Sequence, residues 1–231
     1  MKKKFAFTLA EVLITLGIIG LVAALTIPTL MQKTNERETV AKVKKYYSVL
    51  SNAWKLAYAN NGKYNGTSSE DLYNYISPYL NISKYCGREK GCWADVVVKS
   101  LDGSNWLNID TNTRYYTKAV LTDGASISFY SNETRSNIEF RIDINGTAGP
   151  NTQGIDIFLY NPIINDGAFS MKRGNNDPEY PDDGTTIKLC DKKIIDNDVN
   201  GASCAKWILH NDNMDYIHCS DLSWNGKTKC D

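Results

Sequence analysis

The stretch FTLAEVLITLGIIGLVAALTIPTL, residues 7–30, sets the organisation of this 231-residue chain. From Val12 to Leu30 it runs 19 residues without a charge, eleven of them Val, Leu or Ile. That is about the length that crosses a hydrocarbon core as a helix. A single carboxylate, Glu11, stands at its mouth. On an insertion scale the eleven aliphatics contribute roughly 3 to 7 kcal/mol in favour, against about 2.5 to 3.5 kcal/mol for an acidic residue at the worst depth. Insertion therefore survives Glu11, and the glutamate needs a reason of its own.

Two simple readings of the segment leave it without one. Lys2, Lys3 and Lys4 followed by an apolar run, with Ala23 and Ala24 before Leu25, fit a secretory signal peptide. The same residues fit an uncleaved signal anchor. In either case a charge beside the apolar run only weakens the signal. Composition adds that the rest of the chain is a separate body of about 170 residues, enough for one globular domain. A hydrophobic content of 42% and a formal net charge of zero give no bulk attraction to nucleic acid, and no nucleic-acid contact is expected.

The segment AFTLAEVLITLGIIGLVAALTIPTL resembles the amino terminus of type IV pilin-like proteins, the family that includes the pseudopilins of type II secretion systems. The resemblance implies that a prepilin peptidase removes a leader, residues 1–6, by cutting between Ala6 and Phe7 and methylates the new Phe7 amine. Glu11 is then the fifth mature residue, and Pro28 falls where pilins carry a helix-distorting proline. Ala6 departs from the Gly usual before the cut. An unpaired carboxylate in lipid seeks a cation, and cleavage creates one: in staggered subunits Glu11 would meet the Phe7 amine of a neighbour. The implied partners are the peptidase, copies of this chain or other pilin-like subunits in a filament, an assembly platform in the membrane, and membrane lipid.

Beyond Pro28 helical spacing continues through Val40, Val43, Tyr47, Leu50, Trp54, Ala57 and Tyr58, and Asn60, Asn61 and Gly62 stop it. One helix from about Phe7 to Tyr58 would be on the order of 78 Å long, more than a bilayer needs. Residues 7–31 read as anchor and filament core, 32–61 as a spine packed on a headpiece of residues 62–231. In the headpiece Ser68 is the expected N-cap of a short helix with Leu72, Tyr75, Ile76, Tyr79 and Leu80 on one face, and Pro78 should end or bend it. Residues 114–160 read as sheet: YYTKAVL and SISFY flank the turn pair Asp123–Gly124, and IEFRIDI and IDIFLY follow. Periodicity alone supports an α+β domain. The pilin resemblance implies four antiparallel strands laid across the spine, and the linker DINGTAGPNTQG resembles a segment of several bacterial members of the family. From about Pro162 composition turns to Asn, Asp and Gly, with CAKWILHNDNMDY as one last helix or strand burying Trp207, Ile208 and Leu209.

Six cysteines, Cys86, Cys92, Cys190, Cys204, Cys219 and Cys230, lie beyond the apolar segment. An even count behind an export signal favours disulfides, and pairing in sequence order is preferred among the 15 connectivities. Zinc is the competing reading, but the spacings contain no CxxC, and His210 and His218 form no ligand doublet. Oxidised cysteines and long translocated domains place the carboxyl side outside the cytoplasm, although Lys33, Arg37, Lys42, Lys44 and Lys45 outnumber the leader lysines. DNDVNG, with Asp196, Asp198 and Asn200, opens like a calcium loop, but Trp207 stands where Glu should close it. A turn using local Asn and Asp hydrogen bonds is the preferred reading there. Asp143 and Asn145 form a weaker calcium candidate, and no cofactor is otherwise expected. No nucleophile elbow, phosphate loop, dinucleotide fingerprint or HExxH occurs. The expectation is a non-enzymatic pilin-like subunit of a type IV pilus or type II secretion pseudopilus. A secreted or anchored adhesin using its amino terminus only for export is the alternative.

Overall fold

The computed structural model describes residues 8–132, 138–165, 168–171, 190–191, 200–224 and 226–230. It divides into two compact units, Met1–Glu38 and Thr39–Asp231. Helix α1, Leu9–Asn61, contributes to both, and Pro28 lies inside it.

In the first unit α1 is clothed in exposed aliphatic side chains. Every Leu, Ile and Val from Leu9 to Leu30 is exposed, Leu25 by 69%. This helix is long and apolar enough to cross a membrane.

In the second unit the rest of α1 is the spine of an α+β domain. Val43, Tyr46, Leu50, Ala53, Trp54 and Ala57 are buried, the spacing of one wide helical face. Tyr47 and Tyr58 are only half buried. Helix α2, Ser69–Ile76, begins at a capping box: Asp71 N–H donates to Ser68 Oγ at 3.1 Å, and Ser68 N–H donates to Asp71 Oδ2 at 3.1 Å.

The sheet is an antiparallel meander of five strands in sequence order: β1 Ile82–Gly87, β2 Thr117–Leu121, β3 Ser126–Ser131, β4 Ile138–Asp143 and β5 Ile157–Tyr160. Alternation sends Ala119, Leu121, Ile127, Phe129, Ile138, Phe140, Ile142, Phe158 and Tyr160 into the core shared with the spine. Trp54 is its centre, with ring centroids 5.2 Å from Tyr75, 6.1 Å from Tyr64 and 6.5 Å from Phe140. Tyr116 and Ile157 join a second cluster with Cys92, Trp93, Val98 and Ile109. The guanidinium of Arg141, on β4, pairs with Glu139 at 2.7 Å and lies 4.5 Å from the Trp106 ring.

Two departures from the sequence reading concern strands. The sheet starts at Ile82, not near 114, because β1 is an exposed edge strand with two register irregularities, held by its ladder to β2 and lacking an apolar alternation. A further hairpin, β6 Pro162–Asn165 and β7 Ala168–Met171, lies where patterning fades. The stretch CAKWILHN forms a helix, α3 Cys204–Asn211, which buries Trp207 and Ile208 and leaves Leu209 half exposed, and a short 3-10 turn, Asp215–Ile217, follows it.

Candidate functional site: the amino-terminal segment

Thr8 directly precedes α1, and Glu11 is the third residue of the helix. Glu11 Oε2 accepts from the Thr8 N–H and from Thr8 Oγ1, each at 2.8 Å, while the Glu11 N–H donates to Thr8 Oγ1 at 3.2 Å. Thr8-Leu9-Ala10-Glu11 is therefore a capping box, which satisfies peptide donors that a helix start leaves unpaired. The sequence reading missed this second role for Glu11, although the Thr-x-x-Glu spacing signals it. Both bonds come from a neutral residue, so they orient the carboxylate without neutralising it.

Further along, two hydroxyls inside the apolar run bond to their own helix. Thr15 Oγ1 donates to Val12 O and Thr26 Oγ1 to Val22 O, both at 2.9 Å. With those donors satisfied internally, the segment presents a surface suited to lipid or to packed helices. Pro28 is accommodated without ending α1. Ala6 and Phe7 lie outside the described residues.

The other residues singled out by sequence sit in the second unit. Disulfides join Cys86 to Cys92, Cys190 to Cys204 and Cys219 to Cys230. Cys92 is fully buried in the second cluster, so its loop is anchored under the sheet and is more than a surface staple. Asp196 and Asp198 lie outside the described residues; Asn200 is buried and donates from Nδ2 to Asp191 O at 2.7 Å. Among the described residues no group of three or more His, Cys, Asp or Glu forms a metal cluster.

The linker after β4 is a hub. Gln153 N–H donates to Lys99 O at 2.8 Å, Lys99 N–H to Asn151 O at 3.0 Å, and Tyr216 OH to Gly154 O at 2.7 Å. Gly154 has φ +79° and lies so near the Cys190–Cys204 bridge that a Cβ would stand 2.8 Å from Cys204 Sγ.

Comparison with known proteins separates the two units. No curated protein sequence and no solved structure matches the chain. Residues 1–27, by contrast, match the prokaryotic N-terminal methylation motif, the signature of type IV pilin and pseudopilin precursors.

Proposed function

We propose that this chain is a pilin-like structural subunit, processed by prepilin peptidase and assembled into a type IV pilus or type II secretion pseudopilus. The observation that carries the reading is the coincidence of the methylation motif with a lone carboxylate at the head of an uncovered apolar helix. The motif points to a structural subunit rather than an enzyme.

In this reading residues 1–6 are the leader and 7–31 the membrane anchor and later the filament core. Residues 32–61 are the spine and 62–231 the headpiece, on the outer side of the membrane. Glu11 meets the methylated Phe7 amine of a neighbouring subunit; the apolar surface that lipid covers in the free subunit is covered by other helices in the filament. Other pilin-like subunits and a membrane assembly platform complete the set of partners.

Peptide mass spectrometry of the chain recovered from a host with prepilin peptidase tests the processing step. The expected first residue is a methylated Phe7. A chain beginning at Leu25, or an intact Met1, would instead mean that the segment serves only export or anchoring.

A further inference from the structure

A cleft of about 400 Å³ opens where the chain leaves α1 and enters α2. Its size falls in the range of about 300 to 1,000 Å³ that small-molecule sites occupy. Tyr64, Tyr75 and Tyr79 supply its aromatic part. Asn61, Asn65 and Asn74 supply three side-chain amides, and none of the three bonds to another described residue. Asp71 adds a carboxylate: Oδ2 accepts from the Thr67 N–H at 2.9 Å and the Ser68 N–H at 3.1 Å, and Oδ1 has no partner among the described residues. The Tyr79 hydroxyl is equally free among them.

The walls are fixed before any ligand arrives. Tyr64 is buried, and its hydroxyl donates to Ser131 Oγ at 3.2 Å. The Tyr75 hydroxyl donates to Gly62 O at 2.8 Å. Their rings meet edge to face with centroids 5.2 Å apart, and both pack on the buried Trp54. Gly66 lets the loop lie against α2, because a Cβ there would collide with Asp71 Cβ. A preformed cleft spares a ligand the cost of ordering its walls.

The lining states the chemistry of the ligand. A side-chain amide carries two donors and an acceptor oxygen, so it can bond at once to two neighbouring hydroxyls, one accepting and one donating. Asp71 Oδ1 can accept from a third. Tyrosine rings present negative faces that attract the slightly positive C–H groups of a saturated ring. No Lys, Arg or His is among the residues that line the cleft, so nothing there matches a phosphate, sulfate or carboxylate. An apolar ligand would strip water from the amides and the carboxylate without replacing it. A molecule with hydroxyls around its rim and C–H groups on its faces meets every one of these conditions.

We propose that this cleft binds a neutral saccharide, with Asn61, Asn65, Asn74 and Asp71 bonding to its hydroxyls and Tyr75 and Tyr79 packed on its C–H surface. The cleft lies wholly within the second unit, and binding there does not rest on the pilin reading of the amino terminus. It gives the headpiece a ligand of its own, beyond any structural place in a filament.

The test presents the full chain in detergent to an array of immobilised glycans. Neutral mono- and disaccharides ending in glucose, galactose, mannose or N-acetylglucosamine are set beside sialylated and sulfated counterparts. At least one neutral glycan is expected to retain the chain, and calorimetry with the same sugar free in solution measures its affinity. Asn74→Ala removes an exposed amide that no described residue uses, so it should melt with the parent chain. It should bind that sugar about tenfold more weakly, the loss expected for a pair of hydrogen bonds. Lys63→Ala, exposed beside the cleft but outside its lining, should bind as the parent does. The proposal is overturned by retention on no neutral glycan, by retention on the acidic glycans alone, by parental affinity in Asn74→Ala, or by an equal loss in Lys63→Ala.

Discussion

The hydroxyl of Tyr160, on β5, donates a 3.0 Å hydrogen bond to the main-chain carbonyl of Val43 in α1. Both residues are fully buried, so strand and helix are joined by a polar bond as well as by packing. A second such tie lies at the β2–β3 turn, where Asp123 Oδ2 accepts from Tyr46 OH at 3.0 Å and from Lys45 Nζ at 2.5 Å. The spine is thus an integral wall of the second unit. Tyr160→Phe should cost about 1 kcal/mol, the usual net worth of one buried hydrogen bond. Near-UV circular dichroism melts of the detergent-solubilised chain would register it, and an unchanged Tm would mean that the bond contributes nothing.

Trp54→Ala should be far more damaging. The indole is fully buried and faces Tyr64, Tyr75, Phe140 and Phe169. Emptying that space should destabilise the second unit by roughly 3 to 5 kcal/mol, the range for Trp or Phe truncation in a core. Leu56→Ala, two residues on but 51% exposed, is the matched control and should change little. Equal effects from the two variants would show that the spine is not packed as described.

The disulfides should be intact in exported material and should matter most at the carboxyl-terminal end, where the sequence is rich in Asn, Asp and Gly. Replacing Cys190 and Cys204 together by Ala should cost about 2 to 4 kcal/mol, through the freedom returned to the unfolded chain. Mass spectrometry with and without reductant reads the oxidation state, and protease sensitivity reads the stability. Free thiols throughout the exported protein would defeat this expectation.

The titration of Asp143 gives a dependence opposite to ordinary acid denaturation. Its folded value, raised to about 8 by burial first and then by the negative charge of Asp156, exceeds the unfolded 3.8, so the folded state holds the proton more firmly. That stabilisation is complete below about pH 4 and is lost as pH rises toward about 8, by at most about 1.4 kcal/mol per pH unit. The chain should melt progressively lower between pH 5 and 8, to be checked in steps of about one unit across that window. Asp143→Asn should flatten the profile; a parent profile already flat would show that burial does not raise the acid.

Sequence pattern found what periodicity and local chemistry encode. Ser68 heads α2 as its N-cap, strands β2 to β5 lie in the expected runs, and Leu50 and Trp54 are in the core. It failed where long-range pairing decides. Strand β1 is specified by its ladder to β2, and Tyr46 is buried because the sheet covers a wider arc of the helix than a single stripe of side chains suggests. Asp156 escaped notice because its proximity to Asp143 depends on the turn closing, which spacing alone does not report.

The capping box at Thr8 and Glu11 complicates the simplest test of the docking charge. Glu11→Ala would remove the acceptor of the Thr8 bonds as well as the negative charge, so a loss of filaments would have two causes. Glu11→Gln separates them, because Gln serves at this capping position as Glu does but cannot neutralise a Phe7 amine. Membrane insertion should be unaffected, since removing a charge only eases entry into lipid. Assembly should fail, because breaking one partner of a buried ion pair commonly costs about 3 to 5 kcal/mol, repeated at every subunit. Thr8→Val, the converse variant, keeps the charge, loses the hydroxyl part of the box, and should assemble at near-parental yield. The measurement is the ratio of sheared-filament to membrane-pool protein, by blotting, with each variant as the sole copy. Parental filament yield from Glu11→Gln would make Glu11 a helix cap and nothing more.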